Sequence, residues 1–186
     1  MFRWNPQGDY PQADKSAYID PTAVIVGRVN IGKNVFVGPT AVIRADEQSS
    51  SIAIGDNCNV QDRVIVHALE DTTVEIGEET SLAHGCIVHG PCKLGRDCFI
   101  GFGSVVFDAE LGENVIIKHL TVVEKVNIPP GKTINSSQVI NDIRDLEGLK
   151  AADNELKVFA KNVIMANLEL VKGYKYGKSR ISDKMV

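Results

Sequence analysis

Aliphatic residues recur every six positions through most of the first 140 residues, and the residue four places after each is commonly small. Clear examples are the hexads IGKNVF, VGPTAV, IGDNCN, IGEETS, LAHGCI and IGFGSV. A period of six fits neither an α-helix nor a flat β-strand, whose periods are 3.6 and 2. It is typical of a β-helix, in which each hexad forms one short strand and one turn, and three hexads close a triangular coil. The pattern therefore predicts an all-β solenoid, a parallel β-helix of hexapeptide repeats over residues 1–140.

The hexads can be assigned to three faces of a prism. The aliphatic residues that begin them are Ile31, Ile54, Ile76 and Leu94 on face A, Val37, Val60, Leu82 and Ile100 on face B, and Ile43, Val66, Val88 and Val106 on face C. The intervals on face A are 23, 22 and 18 residues, so the first two coils contain insertions, which follow face C in EQSSSIA and LEDTTVE. Loops that interrupt a rigid repeat at one edge often carry function. After Leu94 the pattern continues with single-residue slips, and we expect it to end near residue 134.

The composition changes after about residue 140, and we assign residues 141–186 to a C-terminal helical segment. Helical spacing is followed by Leu156, Phe159, Val163, Ile164, Leu168 and Val171, and Gly173 lies where a C-cap is expected. The predicted helix, about 153–172, would be roughly 30 Å long. About six to seven coils at about 4.8 Å each have a similar height. We therefore expect an α-helix packed along the whole β-helix.

Two histidines fall in one column of the predicted prism. His67 and His89 each follow the aliphatic residue of face C, and Arg44 has the same place one coil earlier. Neighbouring coils are about 4.8 Å apart and zinc–nitrogen bonds are about 2.0–2.1 Å, so imidazoles on adjacent rungs can bind one metal ion. The register thus predicts a chelating pair.

A third histidine, His84, lies on face B, so its side chain diverges from this pair within one chain. A three-fold oligomer of parallel prisms would place the face-B edge of one subunit against face C of the next at the same height. We therefore predict a homotrimer with one metal ion at each subunit interface, held by His67 and His89 of one chain and His84 of its neighbour. The alternative is that these are surface histidines of a repeat protein with another function. His119 has the slot of His84 two coils further on, about 9.6 Å away, and is interpreted as a surface or interface histidine.

Composition and charge exclude several classes of partner. A net charge of −4, a pI near 5.6 and interspersed acids and bases provide no basic surface for nucleic acid or anionic membranes. No signal peptide and no bilayer-spanning stretch is recognisable, which predicts a cytoplasmic protein. The four cysteines, Cys58, Cys86, Cys92 and Cys98, occupy the small inward slot of their hexads and are interpreted as reduced core residues.

The motifs IRADE, NVQD, VHALE, SLAHGCIVHGP and IGFGSVVF, with a helix ending in NLELVKGY, resemble the γ-class carbonic anhydrases over about residues 19–174. General crossover rules favour right-handed connections. The resemblance instead implies a left-handed parallel β-helix, a homotrimer, and a metal site between subunits with His67, His84 and His89 as ligands. The implied reaction is the reversible hydration of carbon dioxide to bicarbonate by a metal-bound hydroxide.

Four further residues match polar positions of that family's site. Arg44 and Asp46 resemble a pair that bridges subunits near the metal, and Asn59 and Gln61 resemble groups that orient the bound water and substrate. The alternatives are an interface ion pair without a chemical role for Arg44 and Asp46, and turn or ladder polar residues for Asn59 and Gln61.

Two glutamates and the helix complete the resemblance. Glu47 and Glu70 fall in the two insertions and resemble glutamates that serve substrate contact and proton transfer; the alternative is a pair of solvated loop acids. Asn167 matches a pocket residue. The chain departs from well-studied members in lacking their long acidic loop after VHALE, and in having Met165 where some members have tyrosine.

The choice of metal and two rival functions stay open at this point. Three imidazoles suit Zn²⁺, although Fe²⁺ and Co²⁺ would also bind them. A hexapeptide-repeat acyltransferase would share the fold and the trimer but would need only one catalytic histidine. A non-catalytic structural or assembly protein would also share the fold.

Overall fold

A computed structural model describes residues 1–177 of the 186-residue chain. The helical elements in this range are a 3-10 helix, η1 (Ile143–Leu146), and an α-helix, α1 (Asn154–Tyr176). The strands are β1 (Phe2–Arg3), β2 (Gln12–Ala13), β3 (Tyr18–Ile19), β4 (Val24–Gly27), β5 (Val29–Ile31), β6 (Phe36–Val37), β7 (Val42–Ala45), β8 (Ser51–Ile54), β9 (Asn59–Val60), β10 (Ile65–His67), β11 (Thr73–Ile76), β12 (Ser81–Leu82), β13 (Ile87–Leu94), β14 (Phe99–Ile100), β15 (Val105–Leu111), β16 (Ile116–Ile117), β17 (Val122–Glu124), β18 (Asn127–Ile128), β19 (Lys132–Ile134), β20 (Val139–Ile140) and β21 (Lys150–Ala151).

The strands form the coils of a left-handed parallel β-helix. The aliphatic residues pair across neighbouring coils in the predicted register, with Ile54 opposite Ile76 on face A, Val60 opposite Leu82 on face B, and Val66 opposite Val88 on face C. The long strands β13 and β15 turn a corner of the prism and contribute to both face C and face A. The predicted fold class and the predicted faces are therefore confirmed.

The repeat continues slightly further than the sequence pattern indicates. β20 pairs in parallel with β17, and Ile140 lies opposite Val123 in the aliphatic column of face C. The expected end near residue 134 is therefore wrong by one strand, because the turn after β19 returns the chain to face C in register.

The core consists of stacked inward aliphatic residues and cysteines. The four cysteines are free and buried, as predicted. The glycine that follows many of the aliphatic residues is required by the stacking of corners. A Cβ atom at Gly77 would lie 2.6 Å from the Arg96 backbone nitrogen in the next coil, which is closer than real side chains come.

Helix α1 covers face B. Asp153 caps its N-terminus by accepting a hydrogen bond from the Leu156 backbone N–H. The helix buries Phe99 and Ile116 of face B beneath Leu156, Ala160 and Val163. The expectation that a helix packs along the β-helix is confirmed.

The helix ends later than predicted, at Tyr176 rather than near Gly173. The reason is tertiary contact with the first coil. The Tyr174 ring stacks on that of Tyr18 at 4.5 Å, and Lys175 Nζ donates to the Ala17 carbonyl at 2.9 Å. These contacts extend the helix past Gly173, and Gly177 is the C-cap. No helix within residues 1–177 is long and apolar enough to cross a membrane.

Candidate metal centre

His67 and His89 lie on neighbouring rungs of face C. β10 and β13 pair with His67 opposite His89, and β7 places Arg44 opposite His67. The two rings are 4.8 Å apart, and His67 Nδ1 lies 3.0 Å from His89 Nε2. The predicted column is therefore present, and it brings two ring nitrogens together although 22 residues separate them in the chain.

The His67 side chain is only 8% exposed and lies beside two carboxylates. Its Nε2 atom is 3.7 Å from Asp46 Oδ1 and 3.4 Å from Glu47 Oε1. Burial lowers the pKa of His67, and the nearby Arg44 guanidinium and His89 lower it further, while the two carboxylates oppose them. The neutral imidazole, which is the form that binds metals, is thus favoured.

Three polar atoms at this position are buried without a hydrogen-bond partner: His67 Nε2, His89 Nδ1 and Asp46 Oδ1. Such atoms are uncommon, because burying an unpaired polar group costs about 1–3 kcal/mol. Within residues 1–177, no group of three or more His, Cys, Asp or Glu side chains is arranged to hold a metal ion in one chain. A metal ion at this pair would therefore need a further ligand from outside these residues.

His84 lies at the corner between face B and face C, with its side chain 47% exposed. Its Nδ1 atom is 3.4 Å from Asp62 Oδ2, and its ring is 5.5 Å from that of Phe102. The structure does not unite His84 with the His67–His89 pair in one chain, and its role as a ligand stays a prediction. His119 stacks on Phe102 in the same corner column, with the ring centroids 4.3 Å apart.

Arg44 and Asp46 form an ion pair within one chain, with Arg44 Nη1 3.2 Å from Asp46 Oδ2. The Arg44 side chain is about half exposed, so this pair is worth at most about 1 kcal/mol by itself. Its geometry leaves Asp46 Oδ1 directed at His67.

The two insertions form loops that stack on each other through backbone hydrogen bonds. The Asp71 N–H donates to the Gln48 carbonyl at 2.9 Å, and the Ser51 N–H donates to the Thr72 carbonyl at 3.1 Å. The Glu70 backbone N–H donates to Glu47 Oε2 at 2.7 Å. Glu47 is thereby fixed next to His67, whereas the Glu70 side chain is exposed at the loop surface.

The amide side chains on face B form one hydrogen-bonded network with helix α1. Gln61 Nε2 donates to Asn59 Oδ1 at 3.0 Å and to Asn167 Oδ1 at 2.8 Å. Asn167 Nδ2 donates in turn to the Val163 carbonyl at 2.8 Å. Gln61 is therefore held by one residue of face B and one residue of the helix. Its side-chain oxygen, Oε1, is not used in these bonds.

Sequence reasoning missed two members of the site. Ser81 Oγ accepts a hydrogen bond from Asn59 Nδ2 at 2.7 Å, and Asp62 lies beside His84. Both could have been found from the register, because Ser81 pairs with Asn59 and Asp62 has the slot of His84 one coil earlier.

Comparison with known proteins identifies relatives along nearly the whole chain. A family model described as bacterial transferase hexapeptide (six repeats) matches residues 73–107. The chain is 37% identical over 193 aligned positions to a carbonic anhydrase from Methanosarcina thermophila, covering 92% of this chain and 78% of that protein. It is 35% identical to the carboxysome assembly protein CcmM from a Nostoc species, with 92% of this chain covering 32% of that longer protein.

Solved structures give the same fold. The crystal structure of a hexapeptide transferase family protein from Anaplasma phagocytophilum matches with a TM-score of 0.80 and 26% identity, covering 94% of this chain and 98% of that one. A putative acetyltransferase from Bacillus cereus matches with a TM-score of 0.81 and 25% identity, covering 94% and 96% of the two chains. The long alignment with the Methanosarcina enzyme, together with the histidine column on a left-handed β-helix, shows that the chain belongs to the γ-class carbonic anhydrase family.

Proposed function

We propose that this protein catalyses the reversible hydration of carbon dioxide to bicarbonate at a divalent metal ion shared between subunits of a homotrimer. The observation that carries the proposal is the His67–His89 pair, whose facing ring nitrogens are 3.0 Å apart and which has no third His, Cys, Asp or Glu ligand within residues 1–177. The residues that would hold the ion are His67 and His89 of one chain and His84 of the next.

The geometry of the pair fits a metal ion. Two nitrogens bound tetrahedrally at about 2.0–2.1 Å lie about 3.4 Å apart, which is near the separation of His67 Nδ1 and His89 Nε2. The opposite nitrogen of each ring, His67 Nε2 and His89 Nδ1, has no hydrogen-bond partner and is left to donate to a neighbouring group while the facing nitrogens bind the ion. Zinc suits an all-imidazole set, and Fe²⁺ or Co²⁺ would also fit, because imidazole binds each of them.

The outer surface of face C supports the trimer. One β-branched aliphatic side chain per coil points outward there, in register from strand to strand: Val24, Val42, Ile65, Ile87, Val105, Val122 and Val139. Ile65 is 40% exposed and Val139 57%. An apolar strip of this length on a chain surface is typical of a protein interface. The His67–His89 column runs beside it, so a subunit docked there would reach the pair.

A divalent ion bound in this position would lower the pKa of water to about 7 and supply a nucleophile at neutral pH. The chain's own residues would then position the reactants. Gln61 uses both Nε2 hydrogens in its bonds to Asn59 and Asn167, so its Oε1 is left in a fixed orientation to accept a hydrogen bond from the attacking water or from the hydroxyl group of bicarbonate. A fixed acceptor of this kind orients the nucleophile toward the carbon atom.

Hydration of carbon dioxide by water releases one proton with each bicarbonate, and the two insertion loops offer a route for it. Glu47 Oε1 lies beside the site, 3.4 Å from His67 Nε2, the ring nitrogen opposite the one that faces His89, while Glu47 Oε2 is occupied by the Glu70 N–H. Glu47 Oε1 is therefore the oxygen of this carboxylate that is left to accept the proton. The exposed Glu70 carboxylate, adjacent in the next loop, can pass it to buffer.

The relatives favour two other functions strongly enough to be tested beside this one. Similarity to a carboxysome assembly protein supports an assembly role, and the fold of a putative acetyltransferase supports acyl transfer. An assembly protein would retain metal without hydrating carbon dioxide and would co-purify with its partner. An acyltransferase would be stabilised against heat by an acyl-coenzyme A with no metal bound.

The test is metal analysis with stopped-flow carbon dioxide hydration. The protein is purified both in air and without oxygen, because Fe²⁺ is retained only when oxygen is excluded. We expect about one metal ion per chain, because each of three interfaces holds one. His67→Ala should lose both metal and hydration, while Glu75→Ala on face A, an exposed position of similar height, should lose neither. Substantial hydration by metal-free protein would contradict the proposal.

A further inference from the structure

Two columns of side chains run down the surfaces that the proposed trimer brings together. The corner column between face B and face C contains, one per coil, Asp62, His84, Phe102 and His119. The face-C column contains Arg44, His67, His89, Phe107 and Glu124, each paired in register with the next. Both columns advance by one residue for each coil.

The metal site fixes how these columns align. In the proposed function, on which this inference rests, His84 of one subunit lies at the height of His67 and His89 of the partner subunit. Because the prisms are parallel and share one repeat of about 4.8 Å, each step down the corner column is one step down the face-C column. One step up from His84 sets Asp62 against Arg44 and His67 of the partner subunit. One step down sets Phe102 between His89 and Phe107 of the partner subunit.

These two neighbouring steps are chemically complementary, although nothing in the alignment requires it. An acid meets a guanidinium at the upper step, and an aromatic ring meets aromatic rings at the lower step. A shift of the columns by one coil would place Asp62 against His67 and His89 and Phe102 against Phe107 and the Glu124 carboxylate. The first register is therefore the better match of charge and polarity.

Two steps below His84, the same alignment sets His119 between Phe107 and Glu124 of the partner subunit. His119 Nδ1 accepts a hydrogen bond from the Phe102 backbone N–H at 3.0 Å. A neutral imidazole that accepts at Nδ1 carries its proton on Nε2, so His119 offers one outward N–H. The stacked Phe102 ring, 4.3 Å away at an interplanar angle of 15°, holds the imidazole in this orientation.

Glu124 provides an acceptor in the matching position. It lies at the end of β17 on the outer surface of face C, directly below Phe107. Its own ion pair, to the neighbouring Lys125, is long at 3.7 Å between Glu124 Oε1 and Lys125 Nζ, and both side chains are substantially exposed. The carboxylate is therefore free to accept a shorter bond from another subunit.

We infer that His119 of each subunit donates from Nε2 to the Glu124 carboxylate of the partner subunit, forming a metal-independent lock two coils below each metal site. The bond would hold the seam in register, so that His84 reaches the His67–His89 pair even before a metal ion binds. Its contribution is to assembly, and neither residue touches the reacting groups.

The lock can be tested by a double-mutant cycle on the metal-free protein. His119→Asn keeps an acceptor for the Phe102 N–H but loses the outward donor, while His119→Gln places an amide N–H near the position of Nε2. A hydrogen bond to a charged group contributes about a tenfold factor or more, so three seams should lower the trimer association constant about a thousandfold in His119→Asn. Glu124→Ala should have a similar effect, and the double variant should be no worse than either single one. His119→Gln should keep most of the affinity.

The control is Glu110→Ala, which removes an exposed glutamate on face A, outside the seam. Its effect should be small and additive with that of His119→Asn. Association is measured by sedimentation at a series of dilutions, with circular dichroism as the check on folding. A trimer in which His119→Asn and Glu124→Ala act additively would overturn the lock and leave the shared metal site standing. A wild-type protein that sediments as a monomer in the presence of metal would instead overturn the proposed function.

Discussion

Face B and face C both present large apolar side chains outward, but residues 1–177 cover only one of them. On face B, Phe99 is 3% exposed because helix α1 packs over it, whereas Ile65 on face C is 40% exposed. Face A differs from both, since its outward residues include Asn30, Glu75 and Lys93. The repeat builds three equivalent walls, and the outward residues decide whether a wall meets water, the chain's own helix or another subunit.

The two apolar faces also divide the site between them. Face C supplies the histidine pair and the insertion glutamates, while face B and its helix supply the Gln61 network and the corner residue His84. Within residues 1–177 of one chain, neither set brings three metal-ligating side chains together. A trimer that buries face C of one subunit against the corner of the next would unite them.

The largest effect is expected from a charge placed in the centre of face C. Ile65→Lys should dissociate the trimer and abolish metal binding, because a lysine buried in an apolar interface loses its hydration. Ala53→Lys, in the same coil but on face A, is the matched control and should leave the trimer and its metal intact. Sedimentation velocity and metal analysis measure both outcomes; a trimeric, metal-loaded Ile65→Lys would show that face C is not the interface.

Face B should respond in the opposite way, within the single chain. Phe99→Ala removes the ring beneath Phe159 and leaves a cavity under the helix, which should lower the free energy of unfolding by about 3 kcal/mol. Ile65→Ala should change the unfolding of the isolated chain much less. Chemical denaturation of monomers would separate the two faces. Phe99→Ala is measured in the Ile65→Lys monomer background, and Ile65→Ala is measured at high dilution. Equal losses in the free energy of unfolding would mean that burial of Phe99 by the helix does not stabilise the chain.

Asn167, the buried amide of the helix, tests whether the helix on face B contributes to the site. Asn167→Ala removes the acceptor that holds Gln61, and loss of such an orienting partner typically lowers activity about 10–100-fold. Metal content should stay unchanged, because Asn167 does not contact the histidine pair. Asn162→Ala, an exposed position on the same helix, is the control for helix stability. Stopped-flow hydration at matched metal content decides it, and an undiminished rate in Asn167→Ala would remove Gln61 from the mechanism.

The smallest difference between the two faces is expected in the reactivity of the buried cysteines behind them. Burial raises the pKa of Cys58 and Cys98, behind face B, and of Cys86, behind face C, to about 12. These thiols should react negligibly with a thiol reagent at pH 8 in the native protein and rapidly after denaturation. The thiols lose their protons at a lower pH in the unfolded state than in the folded state. The free energy of unfolding should therefore fall as the pH rises above about 9. Selective labelling of Cys86 in the native trimer would indicate that face C is loosely packed.

The sequence predicts the fold and the histidine column because both follow from a strict period. Once Val66 and Val88 are assigned to one face, the positions of His67 and His89 follow, and the structure brings their rings together. The contact between Gln61 and Asn167 could not be derived in this way, because the helix can rotate or slide along face B without changing any repeat. The helix end was wrong for a related reason, since Tyr174 and Lys175 gain contacts with the first coil that local spacing does not reveal.

The measurement that tests the shared site most directly is complementation between two inactive variants. His67→Ala and His84→Ala should each lack metal and hydration as homotrimers. When equal amounts are unfolded, mixed and refolded, about a quarter of the seams should combine an intact His67–His89 pair with an intact His84, so about a quarter of the metal and the rate should return. If the mixture stays empty although mixed trimers form, or if His84→Ala alone retains full metal, the site is not built from two subunits.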